Sequence, residues 1–258
     1  MRDVTCLYSV PLVGSSSPAG QGADPGPGSF ATLPILDWRR EYDKIRGAIQ
    51  EARRKISLSR DVCTVDSFRR TLTLGTKVLH YIGHGAADYL PFENGRGGVH
   101  AVTSNKITSL LTAGNASSHL KLVFVNSCLS RAAGATFIAA GVPHVICIGG
   151  DGEEGSLENA GLEDDCAVAF VMGFYLALFS GKSVKDAFAI GQAGVRAMDE
   201  IYSQVDYARQ AELFKLMPEK AEHTEVLFGD VEEGGVVEMQ VRAWKSQGDE
   251  SRRRNSLF

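Results

Sequence analysis

Three short runs along the chain are apolar almost without a break: KVLHYIGHG (Lys77 to Gly85), LKLVFVNSC (Leu120 to Cys128) and PHVICIGGDG (Pro143 to Gly152). Each is rich in β-branched residues, the form expected of strands buried on both faces of a parallel sheet. Helical patterns separate them, one over Ser104 to Thr112 and one over Arg131 to Ala140 that is closed by Gly141 and Pro143. Upstream, Val4 to Val13 reads as a first strand. Asp37 can cap a helix whose apolar positions Trp38, Tyr42, Ile45, Ile49, Ala52 and Ile56 recur at three- and four-residue steps. A strand over Ile56 to Val62 and a short helix over Val65 to Leu74 follow. Strand and helix in alternation predict a doubly wound α/β sheet.

Other segments fill in around this frame. Residues 14–30 are rich in Gly, Ser and Pro and read as a loop inserted after the first strand. YLPFENGRGGVHAVT, between the first two apolar runs, holds turn signals between aromatic or β-branched flanks and predicts a hairpin. After the third run comes GGDGEEGSLENAGLEDD, a loop with seven carboxylates. An apolar helix then runs to Phe179, and Ser183 with Asp186 makes a capping-box-like start for another, carrying Val184, Ala187, Phe188, Val195 and Met198. His223 to Asp230 reads as a late strand. The reading is a single domain over 1–240, with a charged tail at 241–258 of disordered composition.

Composition narrows the function. A hydrophobic fraction of 44% and a net charge of -4 are those of an ordinary globular chain. They lack the basic excess that nucleic-acid binding requires, so nucleic acid is not the expected partner. The longest apolar run, Cys166 to Phe179, has 14 residues, short of a membrane span. Five cysteines without a CxxC pair fit free thiols in a reducing, intracellular compartment.

In open parallel sheets, ligands bind beyond the carboxyl ends of the strands. The three apolar runs end in GHG, NSC and GGDG, which puts His84 and Cys128 at one edge although 44 residues separate them. A thiol needs a base to become thiolate near neutral pH, and histidine is the usual one. Gly83 and Gly85 allow a sharp turn, and the amides of Gly85 and Cys128 can serve as oxyanion donors. The acidic loop reads first as solvated surface, as most charge runs are; alternatively Asp151, or Asp164 and Asp165 at the next helix start, are candidates for a pocket that takes a substrate Arg or Lys. The zinc set His80, His100, His144 and Cys128 lacks metal-site spacing, and Ser127 lacks a GxSxG elbow. Calcium could suit the clustered carboxylates, but their spacing matches no EF-hand. No cofactor is expected.

LHYIGHG, followed by FVNSCLS, AGVPHVICI, the helix pair in FYLALFSGKSVKDAF and a terminal VLFGD, closely resembles the CHAT domain, a caspase-like cysteine peptidase family related to separases and metacaspases. The resemblance runs from about Asp37 to Asp230. It implies a three-layer α/β/α sandwich around a mostly parallel sheet of about six strands. It also implies a Cys-His dyad of Cys128 as nucleophile and His84 as base, with His80 structural. A peptide substrate would lie as an extended strand and be cleaved through a thioacyl-enzyme, and regulatory domains or partner proteins are expected. The alternative is a domain of this fold kept for interaction, with its dyad silent. The inserted loop at 14–30 and the acidic loop depart from the family pattern and leave substrate preference open.

Overall fold

A computed structural model describes residues 1–15, 30–33, 36–86, 88–149, 161–198, 205–229 and 237–238. Its strands are β1 (Arg2–Ser9), β2 (Val13–Ser15), β3 (Phe30–Thr32), β4 (Ser57–Val62), β5 (Thr76–Gly83), β6 (Tyr89–Glu93), β7 (Val99–Thr103), β8 (Leu122–Asn126), β9 (His144–Ile148), β10 (Phe214–Met217) and β11 (Val237–Glu238). Its helices are α1 (Trp38–Glu51), α2 (Val65–Leu74), α3 (Ser104–Thr112), α4 (Arg131–Ala139), α5 (Asp164–Phe179), α6 (Val184–Arg196) and α7 (Tyr207–Leu213).

The central sheet has the order β10-β9-β8-β5-β1-β4-β11. All its pairs are parallel except β10 with β9. Six of its strands carry the layer, and the two-residue β11 adds an edge. Successive side chains of a strand point to opposite faces, and the core divides accordingly. Val4, Val78, Leu122, Phe124 and Ile146 face α1, α5 and α6, whereas Leu7, Leu79, Tyr81, Val123, Val125 and Val145 face α2, α3 and α4. Both faces are covered, which is why these strands read as continuous apolar runs. This is a three-layer α/β/α architecture with a mostly parallel sheet.

Local signals account for most boundaries. Thr64 caps α2, its hydroxyl accepting from the Ser67 amide at 3.1 Å while Ser67 Oγ accepts from the Thr64 amide at 2.9 Å. Ser183 caps α6 by accepting from the Asp186 amide at 3.1 Å. Asp37 holds the cap position of α1 but makes no side-chain capping bond. The expected hairpin is the antiparallel pair of β6 and β7. β1 stops at Ser9 rather than continuing to Val13.

One expected strand is absent. The residues from His223 to Gly229 join no sheet; instead the carbonyls of His223 and Glu225 accept from the amides of Lys185 and Val184 at 2.9 and 3.0 Å. Those are first-turn donors of α6, which have no partner inside the helix. The segment is apolar because Leu227 and Phe228 plug the core, not because it pairs. Most of the inserted loop, Asp151 with the core of the acidic loop, Asp230 and the tail beyond 238 lie outside the described residues. No described helix is long and apolar enough to cross a membrane.

Candidate active site

β5 and β8 are neighbours, with Ile82 opposite Asn126. The chain therefore leaves both at one edge, through Gly83, His84 and Gly85 from β5 and through Ser127 and Cys128 from β8. The two exits touch. Ser127 Oγ donates to the His84 carbonyl oxygen at 2.6 Å. A Cβ placed on Gly85 would lie 2.7 Å from Cβ of Cys128 and in still harder contact with the Cys128 carbonyl oxygen. Glycine at 85 is thus a condition of the approach.

Beyond Cys128 the turn is pinned from inside. Ser130 Oγ donates to the Val125 carbonyl at 3.0 Å and accepts from the Ile148 amide at 2.9 Å, and the Ser130 amide donates to the Ile148 carbonyl at 2.9 Å. Leu129 has a φ of 57°, in the left-handed region that residues with side chains seldom occupy. Asn126, Ser127 and Ser130 point inward and are buried, while Cys128 is half-buried and Leu129 exposed. The turn spends its polar side chains on its own anchoring and leaves the thiol in reach of solvent.

No other described thiol shares that position. Cys6, Cys63, Cys147 and Cys166 are buried. Burial first of all pushes every one of these thiols up, Cys147 to about 12 and Cys166 to about 11. They are inert hydrophobes at neutral pH. The amides of Gly85 and Cys128 have no hydrogen-bond partner among the described residues. Such a pair, across two touching loops, can take an anionic oxygen. No hydrogen bond joins the Cys128 thiol to the His84 ring among the described contacts; catalytic bonds are commonly long until substrate is bound.

A second polar set, missed in the sequence, lies just beneath. Glu41 of α1 accepts at Oε2 from Asn126 Nδ2 at 2.7 Å and is 3.1 Å from His80 Nε2, and His80 Nδ1 is 2.9 Å from the Tyr175 hydroxyl. A signal for it exists: Glu41 sits three residues after Trp38 and four before Ile45, inside the apolar stripe of the helix. His80 is wholly buried, as a structural position would be.

The remaining candidates do not form one cluster. Asp164 and Asp165 are exposed in the first turn of α5, and Asp165 accepts from Arg40 Nη2 at 2.7 Å. His144 starts β9 at the opposite edge and contacts His223, and His100 lies on β7. Among the described residues no group of three His, Cys, Asp or Glu side chains could hold a metal. A cavity of about 380 Å³, lined among others by Asp3, Arg54, Lys77 and Phe228, also opens at that opposite edge, away from the strand ends that carry Cys128.

No family model and no curated protein matches the chain. Among solved structures, one match is the Arg-specific cysteine proteinase gingipain R, with a TM-score of 0.48 and 13% identity. That match covers 82% of this chain and 45% of gingipain R, so the chain spans less than half of that protein's length. No family is shown at this level. The functional reading stands on this chain's own residues.

Proposed function

We propose that the chain is a cysteine endopeptidase with Cys128 as nucleophile and His84 as base. The observation that carries this is the contact of two neighbouring strand ends, one bearing a histidine, the other the half-exposed thiol. Two amides beside that thiol, without a partner among the described residues, support it. His84 takes the proton of the Cys128 thiol, and the thiolate attacks a peptide carbonyl carbon. The amides of Gly85 and Cys128 hold the oxygen as it becomes anionic. As the C–N bond breaks, His84 gives its proton to the leaving amine. Water, deprotonated by His84, then splits the thioester into a carboxylic acid and the free thiol. The scheme needs no cofactor, metal or third residue.

The substrate is a peptide lying as an extended strand across the edge of the sheet, where the βα loops converge. Asp164, and Asp165 once released from Arg40, would favour a cationic side chain there. Free thiols throughout suit a reducing intracellular compartment.

The test exposes the protein to a peptide library and to a thiol alkylator, with Cys128→Ala as control. Cleavage and labelling that both vanish in the variant are expected. A folded sample in which Cys128 reacts with neither from about pH 6 to about pH 9 would sink the reading and leave an interaction domain with a silent dyad. Equal rates for Arg, Leu and Asp at the cleavage position would remove the role given to the carboxylates.

A further inference from the structure

Among the described residues Glu41 is the one buried carboxylate, 5% exposed on the face of α1 that packs onto the sheet. A buried carboxylate is tolerated when donors surround it. Its two donors are Asn126, at 2.7 Å, and His80, at 3.1 Å. Burial, reinforced by Cys6 and Glu41, pushes the Tyr175 phenol well up, so its O–H keeps its proton. One donor order makes all three bonds: Tyr175 O–H to His80 Nδ1, His80 Nε2–H to Glu41, and Asn126 Nδ2–H to the same Glu41 oxygen. Four elements, α5, β5, α1 and β8, are joined in this way across the upper sheet face.

Two of these residues lead straight into the dyad. Asn126 precedes Cys128 by two residues and is the last residue of β8, and His80 precedes His84 by four on β5. We propose that Glu41 is a positioning residue for the dyad. Its carboxylate ties the end of β8 to β5 through α1, and so sets where the Cys128 turn leaves the sheet. The inference rests on the peptidase reading and adds a residue from a third element to it. Above Asn126 the turn has a second tie, Ser127 Oγ to the His84 carbonyl. The first tie fixes the β8 end to α1, and the second fixes the two loops to each other. Without the carboxylate, two buried donors lose their acceptor, and Asn126 can recover one only by moving the strand end that carries Cys128.

The experiment compares Glu41→Ala, Glu41→Gln and Asn126→Ala with the parent by peptide cleavage, by the rate of Cys128 alkylation with iodoacetamide and by thermal unfolding. Glu41→Ala and Asn126→Ala are expected to lower kcat about 10- to 100-fold, with KM within about threefold, and to slow alkylation. Glu41→Gln keeps an acceptor oxygen at the same place and recovers most of the kcat lost in Glu41→Ala. If Glu41→Ala does not fold, the other two variants decide. A folded Asn126→Ala with the kcat and alkylation rate of the parent overturns the proposal, and so does a folded Glu41→Gln as slow as Asn126→Ala. A parent that neither cleaves nor is alkylated at Cys128 removes the peptidase reading itself, and the positioning role with it. An alkylated parent that cleaves nothing removes peptidase activity alone, and the alkylation rates still judge Glu41.

Discussion

Gly85 and Gly47 are both glycines, and the structure assigns them opposite consequences. A Cβ at Gly85 meets the Cys128 backbone and Cβ, atoms that cannot swing aside as the tip of a flexible side chain can. Gly85→Ala therefore forces the two strand-end loops apart, and the amides of 85 and 128 part with them. Losing one oxyanion donor typically lowers kcat by about 10²–10³, and a fall of that size is expected here, measured by steady-state cleavage. Gly47, within α1, has nothing within 4 Å of the same added atom. Gly47→Ala should stabilise the helix by about 0.5–1 kcal/mol, because glycine loses more backbone freedom on folding. A higher Tm with unchanged kcat is the expected result. A Gly85→Ala enzyme as fast as the parent would separate these amides from the chemistry.

At the scale of elements, β8 is the beam on which the candidate site rests. Phe124 at its centre is fully buried, with ring centroids 4.7 Å from His80, 5.6 Å from Phe170, 6.1 Å from Phe174 and 6.4 Å from Phe214. Phe124→Ala should lower unfolding free energy by about 3–5 kcal/mol, read from denaturant midpoints; a loss under about 1 kcal/mol would mean that the core closes over the void. β5, β8 and β9 were legible as apolar runs because they are buried on both faces, and a strand that ends in small residues marks its exit loop. That brought His84, Gly85 and Cys128 together on sequence alone. Glu41 was legible only in part: its place in the apolar stripe of α1 marks it as buried, but nothing in local spacing tells which strand α1 will cover and so which donors it meets. β10 escaped for another reason: α7 ends at Leu213 and the strand starts at Phe214, with no glycine or proline between them to announce the change. The segment from His223 to Phe228 misled in the opposite sense: Leu227 and Phe228 are apolar because they are buried, while the carbonyls of His223 and Glu225 bond the start of α6 instead of a neighbouring strand.

Across the whole molecule the two edges of the sheet have different work. The carboxyl edge carries the strand exits, and the amino edge is closed by residues 218–229. Leu227 and Phe228 are buried there, and Lys77 Nζ donates to the Leu227 carbonyl at 3.3 Å. His144 Nδ1 and His223 Nδ1 are 2.7 Å apart, and only one proton fits between them. His223 Nε2–H donates to the Pro218 carbonyl at 3.0 Å, so His223 Nδ1 accepts from His144, whose Nε2 faces Glu225 at 3.0 Å with Lys121 3.9 Å from that carboxylate. Burial, and His144 after it, hold the His223 imidazole below its ordinary value, against the Pro218 carbonyl. The sign follows from linkage. Above about pH 6.5 His223 is neutral folded and unfolded, and stability is complete. Below it the unfolded chain takes up a proton that the folded one resists, so stability falls as pH drops towards the lowered folded value. His223→Asn keeps an acceptor for His144 and suits the left-handed φ of 52°. It should lose about 1 kcal/mol at neutral pH with the Pro218 bond, yet fall less steeply on acidification, as read from Tm between about pH 5 and about pH 8. Its kcat at neutral pH should equal that of the parent, because the residue closes the other edge. Parallel Tm curves for parent and variant would move the acid sensitivity to another group.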